Sequence, residues 1–139
     1  MSAVSDPDAV GSAHPDRPGA AVTVGLVLVV DDNAGFRGLA ARILHSWGYE
    51  VVEAGTVADA VARVVALRPA TVLVDIGLPD GDGFALTEQL VALPSPPRVV
   101  LISTDADAGN RSAARRVGAV GFLPKDQMLG GALQELIGG

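Results

Sequence analysis

Cysteine is absent from the 139-residue sequence, which excludes disulfides, thiolate metal sites and cysteine nucleophiles. Histidine occurs only as His14 and His45, too few for a metal centre built from several imidazoles. Lysine is scarcer still, because Lys125 is the only one and every other basic side chain is an arginine. This single lysine follows a short apolar run near the C-terminus, which raises the question of what it contacts.

Long apolar runs are also missing. No stretch reaches the roughly 18 residues that a membrane helix needs, and the first residues lack the basic and apolar regions of a secretory signal. Residues 1–23 are rich in Pro, Gly, Ser, Ala and Asp, which predicts a disordered tail before one domain over residues 24–139. We expect a cytoplasmic protein with no membrane partner. The net charge of -6 argues against direct nucleic-acid binding, which depends on clustered basic residues.

Five short apolar runs, rich in β-branched residues, predict buried strands: "GLVLVV", "EVVEA", "ATVLVD", "RVVLIS" and "AVGFL". Helical periods separate them. The inward face of the first predicted helix includes Leu39, and that of the second, which begins after Thr56, includes Val65. Later helices are expected at about residues 83–93, 106–118 and 129–137.

This alternation predicts a parallel sheet, because each parallel crossover needs a connection that a helix usually supplies. The expected fold class is α/β, a flavodoxin-like (βα)5 doubly wound sheet of five strands in the order 2-1-3-4-5. In such sheets ligands bind beyond the carboxyl ends of the strands, where the winding reverses between the first and third strands.

Polar residues stand at those carboxyl ends. Asp31 and Asp32 follow the first strand, Asp75 ends the third, Ser103 ends the fourth and Lys125 follows the fifth. Three neighbouring carboxylates repel one another unless positive charge is supplied. A ligand set of oxygens alone favours Mg²⁺. An acidic cluster with Mg²⁺ and a lysine suits phosphoryl transfer, with Asp75 as the candidate nucleophile and Ser103 as a hydrogen-bond donor.

The sequence resembles the receiver domains of bacterial two-component response regulators. Four landmark segments of that family occur in order and at the family's spacing: "LVVDDN", "VLVDIGLPDGDGF", "VVLIS" and "GAVGFLPKD". The match extends from about Val24 to Ile137. Because the sequence continues only to a short fifth predicted helix, we expect a receiver of the single-domain type.

The resemblance also implies a role for each acidic residue. Asp75 would be the phospho-acceptor and would contribute to the Mg²⁺ site. Asp32 would be a direct Mg²⁺ ligand, Asp31 would act through a water molecule, and the backbone carbonyl of Gly77 would be a further ligand. Asp80, in the loop that follows, is interpreted as an ordinary turn residue.

Four other positions carry expectations from the resemblance. Ser103 would be the switch hydroxyl, drawn to the phosphoryl group, and Phe122 the aromatic side chain that moves inward behind it. Lys125 would pair with the acids and then with phosphoryl oxygens, where an arginine fork would fit poorly. Thr104 is larger than the usual residue at its position and would restrict access to the phosphoryl group. Asp126 follows the lysine, where relatives often have proline.

The resulting hypothesis is a signalling switch and not a turnover enzyme. A sensor histidine kinase or histidine phosphotransfer protein would donate the phosphoryl group, and the domain would catalyse its own phosphotransfer and dephosphorylation. A downstream protein would read the face of the fourth helix, fifth strand and fifth helix. Two alternatives stay open: an interaction module that works without phosphorylation, and an aspartate-nucleophile phosphohydrolase, although Gly77 stands where such enzymes need an acid.

Overall fold

A computed structural model describes residues 22–104 and 108–138. Its central sheet has five strands: β1 (Thr23–Val30), β2 (Glu50–Ala54), β3 (Pro69–Asp75), β4 (Arg98–Ser103) and β5 (Gly121–Pro124). They run in the order β2-β1-β3-β4-β5, and every neighbouring pair is parallel. The predicted fold class is therefore confirmed.

Five helices connect or follow these strands: α1 (Ala34–Ser46), α2 (Val57–Leu67), α3 (Gly83–Val91), α4 (Ala108–Arg116) and α5 (Gly131–Gly138). A hairpin of two-residue strands, Gly77–Leu78 and Gly81–Asp82, lies between β3 and α3, and a 3-10 turn over Lys125–Gln127 follows β5. None of the helices in this described part of the chain is long and apolar enough to cross a membrane.

Helices cover both faces of the sheet, which explains the uninterrupted apolar runs. Successive strand residues point to opposite faces, so in β1 Leu28 and Val30 join one core cluster while Val27 and Val29 join the other. All four side chains are buried. A strand buried on both faces needs apolar residues at every position, and this pattern identified the strands in the sequence.

Side-chain caps set the starts of the first two helices. The side chain of Asn33 accepts a hydrogen bond from the Phe36 backbone N–H at 2.9 Å, and that of Thr56 accepts one from the Asp59 N–H at 3.0 Å. Such caps satisfy N–H groups that have no partner inside the helix. The second helix therefore begins directly after Thr56, as predicted.

Two predicted inward side chains point outward instead. Leu39 is 42% exposed and Val65 is 62% exposed, whereas Ala40 and Ala60 are fully buried. A small side chain at the contact lets a helix approach the sheet closely, and the next bulky position then lies about 100° around the helix axis. Apolar spacing alone does not reveal which edge of a wide apolar stripe faces the core.

Element ends differ slightly from the predictions. Helix α3 stops at Val91, two residues before the predicted end, and α5 begins at Gly131, with Leu129 outside it and 80% exposed. Of the predicted tail, residues 1–23, all but the last two lie outside the described residues, and Thr23 is already part of β1. Residues 105–107, at the predicted start of the fourth helix, also lie outside them.

Candidate functional site

The register of the sheet aligns the predicted site residues at one edge. Val30 pairs with Val74, so the residues that follow these two, Asp31 and Asp75, stand on neighbouring strand ends. Asp75 in turn pairs with Ile102, and Ser103 is the next residue of β4. Ser103 pairs with Pro124, so Lys125 comes directly after the matching position of β5.

Three carboxylates form a cluster at this edge. Asp31, Asp32 and Asp75 each offer one oxygen, and these oxygens lie within 4.8 Å of one another. Asp31 is fully buried, Asp75 is 9% exposed and Asp32 is exposed. The cluster therefore has a closed side, formed by Asp31, and a side open to solvent at Asp32.

Lys125 supplies positive charge to the buried side. Its Nζ lies 2.7 Å from Asp31 Oδ2 and 3.7 Å from Asp75 Oδ2. The same Nζ is 4.6 Å from the centroid of the Phe36 ring, over its face. The compact ammonium is thus placed between two carboxylates and an aromatic ring, which is the contact that the isolated lysine of the sequence makes.

Burial is the main reason that the pKa of Asp75 is raised above its usual value. The negative charge of Asp31 raises this pKa further, and Asp32 adds a smaller effect in the same direction. Lys125 and the hydrogen bond from the Gly77 N–H, at 3.5 Å, lower it and only partly compensate. A carboxylate whose ionised form is disfavoured in this way gains from additional positive charge nearby.

The donor set can hold a divalent cation. All the candidate side-chain ligands are carboxylate oxygens, the type that Mg²⁺ prefers. Asp31 Oδ2 is buried and accepts no hydrogen bond in the part of the chain that the structure describes. Its 2.7 Å approach to Lys125 Nζ is ionic, without the angles of a hydrogen bond. Three carboxylates against one ammonium leave excess negative charge, so the residues present fit a cation.

The remaining predicted positions surround this cluster. Ser103 is 3% exposed and Thr104 is exposed. Phe122 is 8% exposed in the core cluster beneath α4, and the guanidinium carbon of Arg111 lies 5.4 Å from its ring centroid. The aromatic ring is therefore inward in this structure and in contact with α4. Gly77 begins the short hairpin directly after β3.

Arg37 and Glu53, for which the sequence predicted no role, connect the backbone at the end of β1 to β2. Arg37 donates from Nη1 to the carbonyl oxygen of Asp31 at 2.6 Å, and its Nε makes an ion pair with Glu53 Oε1 at 3.0 Å. This bridge ties the end of β1 to β2. The sequence signal for this bridge was Arg37 itself, an arginine one turn into the helix that follows the acidic end of β1.

Asp80 lies in the turn of the hairpin after β3, as expected, and its side chain makes a further contact that the sequence did not predict. Its carboxylate accepts hydrogen bonds from the backbone N–H groups of Val57 and Ala58, at 2.7 and 3.1 Å. These two bonds lower the pKa of Asp80, since they favour its charged form at the start of α2. The loop after Asp75 is thereby attached to a helix more than 20 positions earlier, which no local sequence signal indicates.

Comparison with known proteins agrees with this geometry. Residues 27–136 match the family model described as the response regulator receiver domain. The chain is 36% identical over 104 residues to a protein-glutamate methylesterase/protein-glutamine glutaminase of Anaeromyxobacter dehalogenans, covering 73% of this chain and 29% of that protein. It is 38% identical over 103 residues to the DNA-binding transcriptional activator DevR/DosR of Mycobacterium tuberculosis, covering 72% of this chain and 47% of that protein.

A solved structure is similar as well. The crystal structure of a response regulator from Burkholderia pseudomallei matches with a TM-score of 0.73 and 28% identity, over 80% of this chain and 65% of that chain. The chain spans less than half the length of the two curated relatives. The chain belongs to the family of response regulator receiver domains.

Proposed function

We propose that this domain is a phosphorylation-dependent signalling switch that accepts a phosphoryl group on Asp75. The observation that carries the proposal is the convergence of Asp31, Asp32, Asp75 and Lys125 at one edge of the sheet. The B. pseudomallei response regulator, whose structure was solved with a phosphorylated aspartic acid and a calcium ion, supports the same chemistry here. The donor would be a phosphohistidine on a sensor histidine kinase or a histidine phosphotransfer protein.

In the transfer step, a carboxylate oxygen of Asp75 attacks the phosphorus atom of the phosphohistidine. A new P–O bond forms and the P–N bond breaks, and its electron pair returns to the imidazole nitrogen, which is then protonated from solvent. Lys125, 3.7 Å from Asp75, neutralises charge on the phosphoryl oxygens, and the Ser103 hydroxyl donates a hydrogen bond to one of them. The resulting acyl phosphate is later hydrolysed.

Mg²⁺ is the proposed cofactor. Asp32, on the open side of the cluster, and Asp75 would be direct ligands, together with the backbone carbonyl of Gly77. Asp31 is buried and paired with Lys125, which suits a contribution through water. When bound, Mg²⁺ supplies positive charge that offsets the mutual repulsion of the carboxylates and the charge of the incoming phosphoryl oxygens.

The output of the switch would be a change in the face formed by α4, β5 and α5. Phe122 connects the strand that ends at Ser103 with this face. It lies in β5, pairs with Leu101 of β4 and contacts Arg111 of α4. Beside it lies a recess of about 150 Å³ lined by residues that include Arg111, Arg115 and Val120. Movement of Ser103 toward a phosphoryl group would alter the packing of Phe122 and thus the shape offered to a downstream protein.

Phosphorylation can be tested directly by intact mass. We expect incubation with Mg²⁺ and a small acyl phosphate to add the mass of one phosphoryl group, which hydroxylamine then removes. The adduct should be lost in Asp75→Asn and kept in Asp59→Asn, which makes the same chemical change at an exposed aspartate of α2. An adduct that survives Asp75→Asn would refute the assignment. No adduct on the wild-type protein would favour an interaction module that works without phosphorylation.

A further inference from the structure

Lys125 is held by an aromatic contact in addition to its two carboxylate partners. Nζ lies over the face of the Phe36 ring, 4.6 Å from its centroid. Aromatic faces attract an ammonium because their π electrons are negative, and separations below about 6 Å are the favourable range. The Lys125 side chain is 18% exposed, so bulk water weakens the attraction less than at an open surface.

The position of Phe36 follows from the same turn that places the acids. The Asn33 N–H donates to Asp31 Oδ1 at 2.9 Å, and the Asn33 side chain in turn accepts from the Phe36 N–H at 2.9 Å. Phe36 therefore sits in the first turn of α1 in a fixed relation to Asp31. One short segment presents both an anion and an aromatic face to Lys125.

A lysine needs such restraint more than an arginine does. Its four-carbon stem is flexible, and fixing it costs conformational entropy. The 3-10 turn that carries Lys125 is only three residues long and has no side-chain cap, and the position of the ammonium depends on the contacts at the end of the side chain. Contact with a carboxylate alone limits the distance between the ammonium and that carboxylate, but the ammonium can still move around it. An aromatic ring on another side of the ammonium limits this movement.

We propose that Phe36 is a positioning residue for Lys125, whose ring face holds the ammonium between Asp31 and Asp75, where it meets the incoming phosphoryl group. The kinetic consequence rests on the proposed function, but the contact itself does not. Phe36 also packs against the core cluster beneath α1. The test must therefore separate the loss of the π face from the loss of apolar packing.

Because the chain contains one lysine, lysine labelled with ¹³C gives a single set of side-chain NMR signals. We expect the Cε protons of Lys125 in the wild-type protein to lie upfield of those of free lysine, as the ring current above an aromatic face requires. The upfield shift should disappear in Phe36→Leu, which stays apolar, and persist in Phe36→Tyr, which keeps the ring. Wild-type signals at the free-lysine position would overturn the proposal without any variant.

The control is Phe84→Leu. Phe84 is also half-buried and also lies in the first turn of a helix, but it packs against the other core cluster. With a small acyl phosphate as donor and saturating Mg²⁺, Phe36→Leu should slow phosphorylation of Asp75 by about threefold to tenfold, the range for loss of a partly desolvated cation–π contact. Phe36→Tyr and Phe84→Leu should both be phosphorylated at the wild-type rate.

The outcomes separate this proposal from the proposed function. A wild-type protein that accepts no phosphoryl group refutes the phosphorylation switch, while the upfield shift of Lys125 still decides whether Phe36 holds the ammonium. A shift that disappears in Phe36→Leu without slower phosphorylation overturns the positioning role. A rate that falls equally in Phe36→Leu and Phe84→Leu, or that Phe36→Tyr fails to restore, assigns the effect to packing and overturns it as well.

Discussion

The charged residues of the site carry more negative than positive charge. Asp31, Asp32 and Asp75 bring three carboxylates together, and Lys125 is the cation within ion-pair distance of two of them. The imbalance appears in the raised pKa of Asp75, caused first by burial and then by the charge of Asp31. A site that disfavours its own negative charge gains from added positive charge, which supports the Mg²⁺ site and the phosphoryl transfer proposed above.

The raised pKa predicts how Asp75→Asn affects stability. A carboxyl group whose pKa is higher in the folded state contributes most favourably below its unfolded pKa of about 3.9, and this contribution is lost as pH rises through the folded value. In Mg²⁺-free buffer we therefore expect Asp75→Asn to be more stable than the wild type near neutral pH. The gain should shrink as the medium is acidified toward the unfolded pKa.

Urea unfolding over this pH range measures the difference. Near neutral pH, asparagine removes the buried negative charge of Asp75 and the repulsion between that charge and Asp31. In acid the wild-type Asp75 is protonated and no longer carries this charge, so the substitution changes less. A variant that is less stable than the wild type at neutral pH, or a difference that does not change with pH, would contradict the raised pKa of Asp75.

At the scale of elements, the connection from β3 to α3 is held at both ends. Asp82 caps α3 by accepting from the Phe84 N–H at 2.9 Å, while Asp80 accepts from two N–H groups at the start of α2. Gly83, the first residue of α3, lies so close to β3 that an added Cβ would overlap the Asp75 carbonyl oxygen and approach Ile76 Cα to 2.7 Å. The loop beside the phospho-acceptor candidate is thus packed backbone against backbone.

Gly83→Ala tests this close approach. Backbone atoms cannot turn aside as a flexible side chain can, so we expect the substitution to cost about 1–3 kcal/mol of unfolding free energy. The matched control is Gly38→Ala in α1, where the nearest atom to the added Cβ is Arg42 Nη1 at 4.0 Å. An alanine there should stabilise by about 0.5–1 kcal/mol, because glycine weakens a helix interior. Equal effects of the two substitutions in chemical denaturation would refute the packing argument.

At the scale of the whole molecule, the site depends on the sheet that carries it. Asp31 follows β1 and Asp75 ends β3. Both strands are buried on both faces by two separate core clusters, so the carboxylates approach one another only when the entire sheet is formed. The unfolded chain has no such cluster. A cation that binds the three acids must therefore stabilise the fold as a whole.

Thermal unfolding with and without Mg²⁺ measures this linkage. We expect Mg²⁺ to raise Tm, with a stabilisation of about 2.7 kcal/mol when its concentration is 100 times the dissociation constant. The increase should be much smaller in Asp32→Asn, which changes an exposed side chain and so should leave the fold intact. NaCl at matched ionic strength controls for screening of the carboxylates. An equal rise with NaCl, or an unchanged rise in Asp32→Asn, would contradict a specific cation site.

Much of this architecture could be predicted from local patterns. The strands were recognised because burial on both faces requires apolar residues at every position, and the acids were assigned to one edge because parallel strands end on the same side. The helix faces were predicted less well, as Leu39 and Val65 show. Their apolar stripes were wider than the buried contact, and the contact depended on how closely each helix approached the sheet.

The sequence by itself determined the order of strands and helices along the chain. It also determined that the acids and the single lysine stand at the carboxyl ends of strands. Both follow from hydrophobic periodicity and chain direction, which are local properties. Only the tertiary structure decided that Asp31 is the carboxylate nearest to Lys125, that Phe36 lies beneath the ammonium, and that Asp80 caps α2. These contacts join residues that are distant in the chain, and they depend on sheet register and helix orientation. No short segment encodes such distances, since they result from packing the whole domain.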